Sequence, residues 1–279
     1  MATARITPSP SALSTTFIKH LSCNLNLHSP IARTLFTAAP NSTRSRRPTL
    51  RLTRKSFKVS MSSVHSTDPL EVCAKASVTT PNTLGDCPFT QRVLLTLEEK
   101  HLPYELKLVD LSNKPEWFLE LSPKGLVPLI KLDDKWIPDS DVITEALEEK
   151  FPEPPLPAPT VKDWPGSNIF RKFIDFLKSK NPNDGTERAL LDELTAFNGH
   201  IKDNGPFIYG DKISAADLSL GPKLYHLEIA LGHYKKWSVP DSLPYLKSYM
   251  ETIFSRDSFI NTRAQKEDVI EGWRPKVEG

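Results

Sequence analysis

The chain has 279 residues, enough for one large domain or two modest ones, and its charge is nearly balanced, with 36 Lys and Arg against 34 Asp and Glu. The distribution is uneven: Met1–Thr67 holds ten basic and no acidic residues, and the remaining 26 basic residues face all 34 acids, so residues 68–279 carry a net −8. A broadly basic nucleic-acid-binding surface is thereby excluded from the main body, no apolar run approaches the roughly 18 residues of a membrane span, and three cysteines (Cys23, Cys73 and Cys87) are too few for a disulfide framework, which points to a reducing compartment.

Rich in Ser, Thr and Arg, with prolines at 8, 10, 30, 40 and 48, residues 1–67 have the composition of an organelle transit peptide and are expected to be a disordered leader. Only Arg5 and Lys19 are basic among the first 30 residues, and Pro8 and Pro10 obstruct an early amphipathic helix. A plastid address therefore fits better than a mitochondrial presequence. The alternative is a basic tail that stays attached.

Residues 68–151 read as β-α-β-α-β-β-α. Val72–Ser77 is a short strand containing Cys73, an expected core thiol. Gly85 then allows a tight turn before Cys87, Pro88 and an amphipathic helix, Phe89–Lys100, with Val93, Leu94 and Leu97 at helical spacing. Pro88 suits the first helical position, which places Cys87 at the helix N-terminus. Unpaired N–H groups and the positive end of the helix dipole favour the thiolate there, so Cys87 is a candidate nucleophile, its plainer reading being a small buried hydrophobe. Thr90 stands where a redox pair would have its second cysteine. Regeneration of an oxidised Cys87 thus calls for an external thiol such as glutathione.

Further on come a strand over Tyr104–Leu111, a short helix over Pro115–Leu121, and a strand over Lys124–Leu132 interrupted by Pro128. A short strand over Trp136–Pro138 follows, then Asp139-Ser140-Asp141 before a helix over Val142–Lys150. Residues 152–165 contain six prolines and read as a linker. Residues 166–279 are helical throughout: Ser167–Lys180, with Ile169, Phe170, Phe173, Phe176 and Leu177 on one face, then Thr186–Asp203, Ser214–His233, Asp241–Ser255 and a tail over Lys266–Glu271. Ser214 and Asp217 form a capping-box variant with a structural role.

A thioredoxin-like half, a proline-rich linker and an all-helical half together resemble the glutathione transferase superfamily. Within it, Gly85-Asp86-Cys87-Pro88-Phe89-Thr90-Gln91-Arg92-Val93, Lys114–Leu119, Asp139–Ile143 and Leu224–Glu228 resemble the plant dehydroascorbate reductases, chloroplast forms above all, and the similarity runs from about Leu70 to the C-terminus. The resemblance implies an α/β thioredoxin-like domain plus an all-α domain, with Val127-Pro128 as the cis-proline that faces the reactive cysteine and leaves backbone free for a peptide.

By the same resemblance Cys87 is the nucleophile, Lys75 and Asp86 contact dehydroascorbate or ascorbate and glutathione, and Lys114, Val127, Asp139 and Ser140 hold glutathione. His226 and Trp273 approach the site from the helical half and are expected among the glutathione contacts. The residue types fit. Val127 can offer backbone N–H and C=O to the tripeptide, Ser140 at a helix start can take a carboxylate, and Asp139 can meet the γ-glutamyl ammonium. Each has a plainer alternative: solvated charges for Lys75 and Lys114, a helix cap for Ser140, a packed imidazole for His226 and a C-terminal anchor for Trp273.

The implied activity is glutathione-dependent reduction of dehydroascorbate to ascorbate, with glutathione as co-substrate and neither metal nor nicotinamide. A conjugating glutathione transferase is the rival enzyme, disfavoured because those proteins usually place Ser or Tyr near this turn. Intracellular chloride channel proteins share the Cys-Pro-Phe turn. Gln91, Arg92, Glu98, Glu99 and Lys100 disfavour the membrane insertion reported for them. A monomer in the chloroplast stroma is expected.

Overall fold

The computed structural model describes residues 68–157 and 164–279; the leader assigned to residues 1–67 and part of the proline-rich segment lie outside them. The first half comprises β1 (Leu70–Lys75), α1 (Pro88–Glu99), β2 (Tyr104–Val109), α2 (Glu116–Leu121), β3 (Leu129–Leu132), β4 (Lys135–Pro138) and α3 (Ser140–Lys150). The sheet order is β2-β1-β3-β4, with β1 parallel to β2 and antiparallel to β3, and β4 antiparallel to β3.

Alternation along β1 sends neighbouring side chains to opposite faces. Val72 joins Val93, Leu94 and Leu97 of α1 and Ile143 and Leu147 of α3 on one face, while Cys73 joins Phe118 of α2, Val109 and Leu129 on the other. Pro128 precedes β3 instead of interrupting it. The strand is four residues long, not nine, because the stretch Lys124–Pro128 turns through Gly125 at φ +61°. Val127–Pro128 is a cis peptide.

The second half comprises α4 (Ile169–Lys178), α5 (Thr186–Asn204), α6 (Ala215–Tyr234), α7 (Pro244–Phe254), α8 (Asp257–Thr262) and α9 (Lys266–Val277). Its core runs through Phe173, Leu194, Phe197, Leu224, Leu227, Tyr249, Ile253 and Phe259. Ser214 and Asp217 make the reciprocal capping box expected at the start of α6. Two elements depart from expectation. Six-residue α8 carries too short a pattern to be read, and α9 continues past Glu271 to Val277. Pro275 sits in its last turn, where a proline forfeits one hydrogen bond without breaking what precedes it. Among the described residues no helix is long and apolar enough to cross a membrane.

α1 belongs to both halves. Its Val93, Leu94 and Leu97 face the sheet, while Leu95 is buried in the helical core. At its C-terminal end, Glu99 accepts two hydrogen bonds from Arg256, at 2.8 and 2.7 Å, and one from Ser258 at 2.5 Å.

Candidate active site

After β1 the chain loops out and returns against the strand it has just left. Ser77 N–H donates to Thr83 O and Gly85 N–H to Lys75 O, both at 2.8 Å. A β-carbon on Gly85 would overlap the Ala76 carbonyl and stand 3.0 Å from Lys75 O, so at the turn expected here glycine is needed for close approach, without positive φ. The return sets Asp86 beside Lys75, whose Nζ donates to Asp86 Oδ1 at 2.5 Å, with Asp86 7% exposed. The next residue is Cys87. It caps α1 with extended backbone, Pro88 follows at the first helical position, and Thr90 N–H points at Sγ from 3.4 Å. The half-buried sulfur thus receives a free donor of the helix end.

Two cavities flank this helix start, and Phe89 lines both. One, of about 590 Å³, is bounded by Ser122, Leu126, Val127, Pro128, Asp139 and Ser140 among others. Among the described residues, nothing takes the backbone N–H or C=O of Val127. Lys114 is exposed and reaches across Gly125, where its ammonium would lie 2.7 Å from a β-carbon. α3 begins two residues earlier than its apolar pattern, at Ser140, because Asp139 and not Ser140 is the cap. Its Oδ1 accepts from Asp141 N–H at 2.8 Å, with φ +74°, a conformation Asp tolerates better than most. Ser140 is consequently free of the capping role at the cavity wall. Arg92 of α1 pairs with Asp141 at the same helix start.

The other cavity, of about 330 Å³, lies between Asp86, Pro88 and Phe89 on one side and Phe170, Ile174, Lys178, His226, Trp273 and Lys276 on the other. His226 and Trp273 are both buried, and Trp273 Nε1–H donates to His226 Nδ1 at 3.0 Å. An indole only donates, so Nδ1 is an acceptor and the neutral ring carries its proton on Nε2. Burial pushes the imidazole down to about 3, with Lys276 and Lys75 adding to the effect. His226 is therefore a packed imidazole that also lines the smaller cavity. An aromatic wall links it to the helix start: Trp273 meets Phe173 and Phe170 edge-on at 5.2 and 6.3 Å, and Phe170 meets Phe89 at 6.0 Å.

Lys276, absent from the sequence-based list, lies with its Nζ 4.4 Å from the Trp273 ring centroid. Burial lowers its proton affinity, opposed by Asp86 and Cys87. Its spacing of three from Trp273 on a helix is the signal that would have found it, had the helix not been ended at Glu271. From the sequence Phe89 is only a helix start and part of the Cys-Pro-Phe motif, and Phe170 only part of an apolar face. The structure sets Asp86, His226 and Trp273 on the wall of one cavity, with Lys75 paired to Asp86 and Cys87 between Asp86 and Pro88, and sets Val127, Asp139 and Ser140 around the other, with Lys114 packed over the neighbouring Gly125.

Residues 86–150 match the glutathione S-transferase N-terminal domain and residues 183–252 the C-terminal domain. The chain is 72% identical over 211 residues to the Arabidopsis thaliana glutathione S-transferase DHAR3, chloroplastic, covering 76% of this chain and 82% of that one. It is 70% identical over 214 residues to the probable glutathione S-transferase DHAR2, chloroplastic, of Oryza sativa subsp. japonica, covering 77% and 79%. The crystal structure of Chlamydomonas reinhardtii dehydroascorbate reductase superposes with a TM-score of 0.67 at 34% identity, covering 75% of this chain and 99% of that one. The chain belongs to the plant dehydroascorbate reductase branch of the glutathione S-transferase family. Among the glutathione S-transferases the likeness spans both halves, so the two cavities lie inside the shared fold.

Proposed function

We propose that the chain is a dehydroascorbate reductase that uses glutathione as reductant. The reading rests above all on Cys87: a half-buried thiol capping α1, beside the Lys75–Asp86 pair and two residues before Phe89, which lines both cavities. Its relatives at 70% identity and above, named DHAR, support it.

In the cycle that fits this site, dehydroascorbate occupies the smaller cavity, where Lys276 and the Nε2–H of His226 supply positive charge and a donor for its oxygens, with Lys75 behind the Asp86 wall. Cys87 thiol, dehydroascorbate and water yield ascorbate and a Cys87 sulfenic acid: sulfur loses two electrons, and the substrate gains them with two protons. Glutathione, held along Val127 with its γ-glutamyl end at Asp139 and Ser140 and with Lys114 beside it, condenses with the sulfenic acid to a mixed disulfide and releases water. A second glutathione thiolate attacks that disulfide, freeing Cys87 and oxidised glutathione. Asp86 opposes a neighbouring thiolate by charge; its contribution is to hold Lys75 and to bind substrate.

The test is to mix the protein with dehydroascorbate and glutathione and follow ascorbate absorbance. Turnover is expected with the native chain and background rates with Cys87→Ser. Rapid conjugation of an electrophile by glutathione without dehydroascorbate reduction would replace this reading with that of a conjugating transferase. The acid-free leader and the chloroplastic relatives support a plastid location, in the stroma. A reporter fused behind Met1–Thr67 is expected in plastids, and import only into mitochondria would refute that address.

A further inference from the structure

α9 meets the first half backbone-first. A β-carbon built on Gly272 would fall within the van der Waals envelope of Asp86 Oδ2 and Cγ and stand 2.8 Å from Oδ1, and these three atoms are its nearest neighbours. Glycine is a poor choice for a helix interior. Gly272 does not adopt positive φ, so its own backbone does not require it. What requires it is the space taken by the Asp86 carboxylate.

The register of α9 is set one turn earlier, at i−4 on the same face. Asp268 is completely buried, and four donors converge on its Oδ1: Ser77 Oγ at 2.6 Å, Val78 N–H and Thr79 N–H at 3.1 Å, and Thr79 Oγ1 at 2.9 Å. These donors lie in the loop that leaves β1 just past Lys75. Tyr234 O–H, donating to Ile270 O at 2.7 Å, ties the intervening turn to α6. A slip of α9 by one residue would break these bonds and bring a side chain against Asp86.

We propose that Gly272 is a positioning residue of the reductase site: it leaves the space in which Asp86 stays paired with Lys75, and Asp268 fixes the register that puts it there. The inference rests on the proposed role of the Lys75–Asp86 pair in binding dehydroascorbate.

A double-mutant cycle in the full chain tests it, using Gly272→Ala, Asp86→Ala and the two combined, each read by kinetics and by thermal melting. In the native background Gly272→Ala displaces the carboxylate, so kcat/KM for dehydroascorbate is expected to fall about tenfold, the scale of one lost charge-assisted hydrogen bond, and Tm to fall. In the Asp86→Ala background the same methyl meets no carboxylate. There kcat/KM should not change further, and Tm should hold or rise, since alanine is the better helix former. Equal losses in both backgrounds, or native kinetics and Tm in Gly272→Ala alone, would overturn the proposal. Should Gly272→Ala fail to fold, folding of the double variant sustains the proposal and its failure to fold refutes it. If the native chain reduces no dehydroascorbate, the functional reading falls by itself, and the Tm cycle still decides whether Gly272 positions Asp86.

Discussion

Two cysteines in the same half illustrate how position decides chemistry. Cys73 is fully buried in β1, where loss of hydration pushes its thiol up to about 11, only partly offset by Lys107. Cys87 is half-buried at a helix start, with a backbone donor aimed at its sulfur. Iodoacetamide at neutral pH is expected to modify Cys87 in the folded chain and Cys73 only after denaturant is added, as peptide mass spectrometry would show; Cys73→Ser should keep most activity. Labelling of both at equal rates without unfolding would contradict the burial argument. His226 supplies a second residue-scale outcome. An ordinary imidazole titrates near 6.5 and burial holds this one down to about 3, so the unfolded chain binds a proton that the folded chain refuses between those values. Stability from this group is complete above 6.5 and declines as pH falls toward 3. Imidazole NMR signals of His226 should not titrate from pH 8 to pH 5, and His226→Gln should flatten the acid side of the stability profile.

The elements are joined chiefly through α1, and the clasp at its end is testable. Burial raises Glu99, but hydrogen bonds from Arg256 and Ser258 outweigh that and leave it below the ordinary 4.5. A depressed carboxylate stabilises the fold above its unfolded value and loses that contribution as pH falls through the folded one. Glu99→Gln keeps the shape and removes the charge, and should cost about 1–3 kcal/mol at neutral pH, with the difference from the native chain closing on acidification. Urea melts at pH 7 and pH 3 check this; a constant difference would mean that charge is not what the clasp uses. Much of this architecture was legible in the sequence. The Cys-Pro pair followed by a 3.6-residue period marked α1, and Ser214 with Asp217 marked α6, because those signals are local. The short β3, the six-residue α8 and the second half of α9 were not legible: a proline looks alike before a strand, within one or in a final helical turn, and the docking of neighbouring elements decides. For the same reason Leu95, off the face of Val93, Leu94 and Leu97, gave no sign of its partners in the helical half, and Gly272 showed nothing, since the carboxylate it accommodates is 186 positions away in the chain.

At the scale of the whole molecule, the two cavities draw on the halves differently, and the proposed placement of the two substrates follows that division. Every residue bounding the larger cavity lies between Phe89 and Ser140, within the thioredoxin-like half, whereas the smaller one takes Phe170, His226, Trp273 and Lys276 from the helical half and Asp86 and Pro88 from the other. Glutathione binding should therefore respond to substitutions in the first half alone, and dehydroascorbate binding to both. Ser140→Ala removes a hydroxyl at the start of α3 that capping does not use, so it should raise the KM for glutathione about tenfold, the scale of one hydrogen bond to a charged group, and leave that for dehydroascorbate nearly unchanged. Lys276→Ala should do the reverse. Because its ammonium lies over Trp273 and not in an ion pair with a fixed partner, its loss leaves no buried charge unmatched, and Tm should move little. Steady-state kinetics with each substrate varied in turn decide the matter. A rise in both KM values from either substitution would mean that Phe89, common to both cavities, couples them into one site, and that the halves do not divide the two substrates between them.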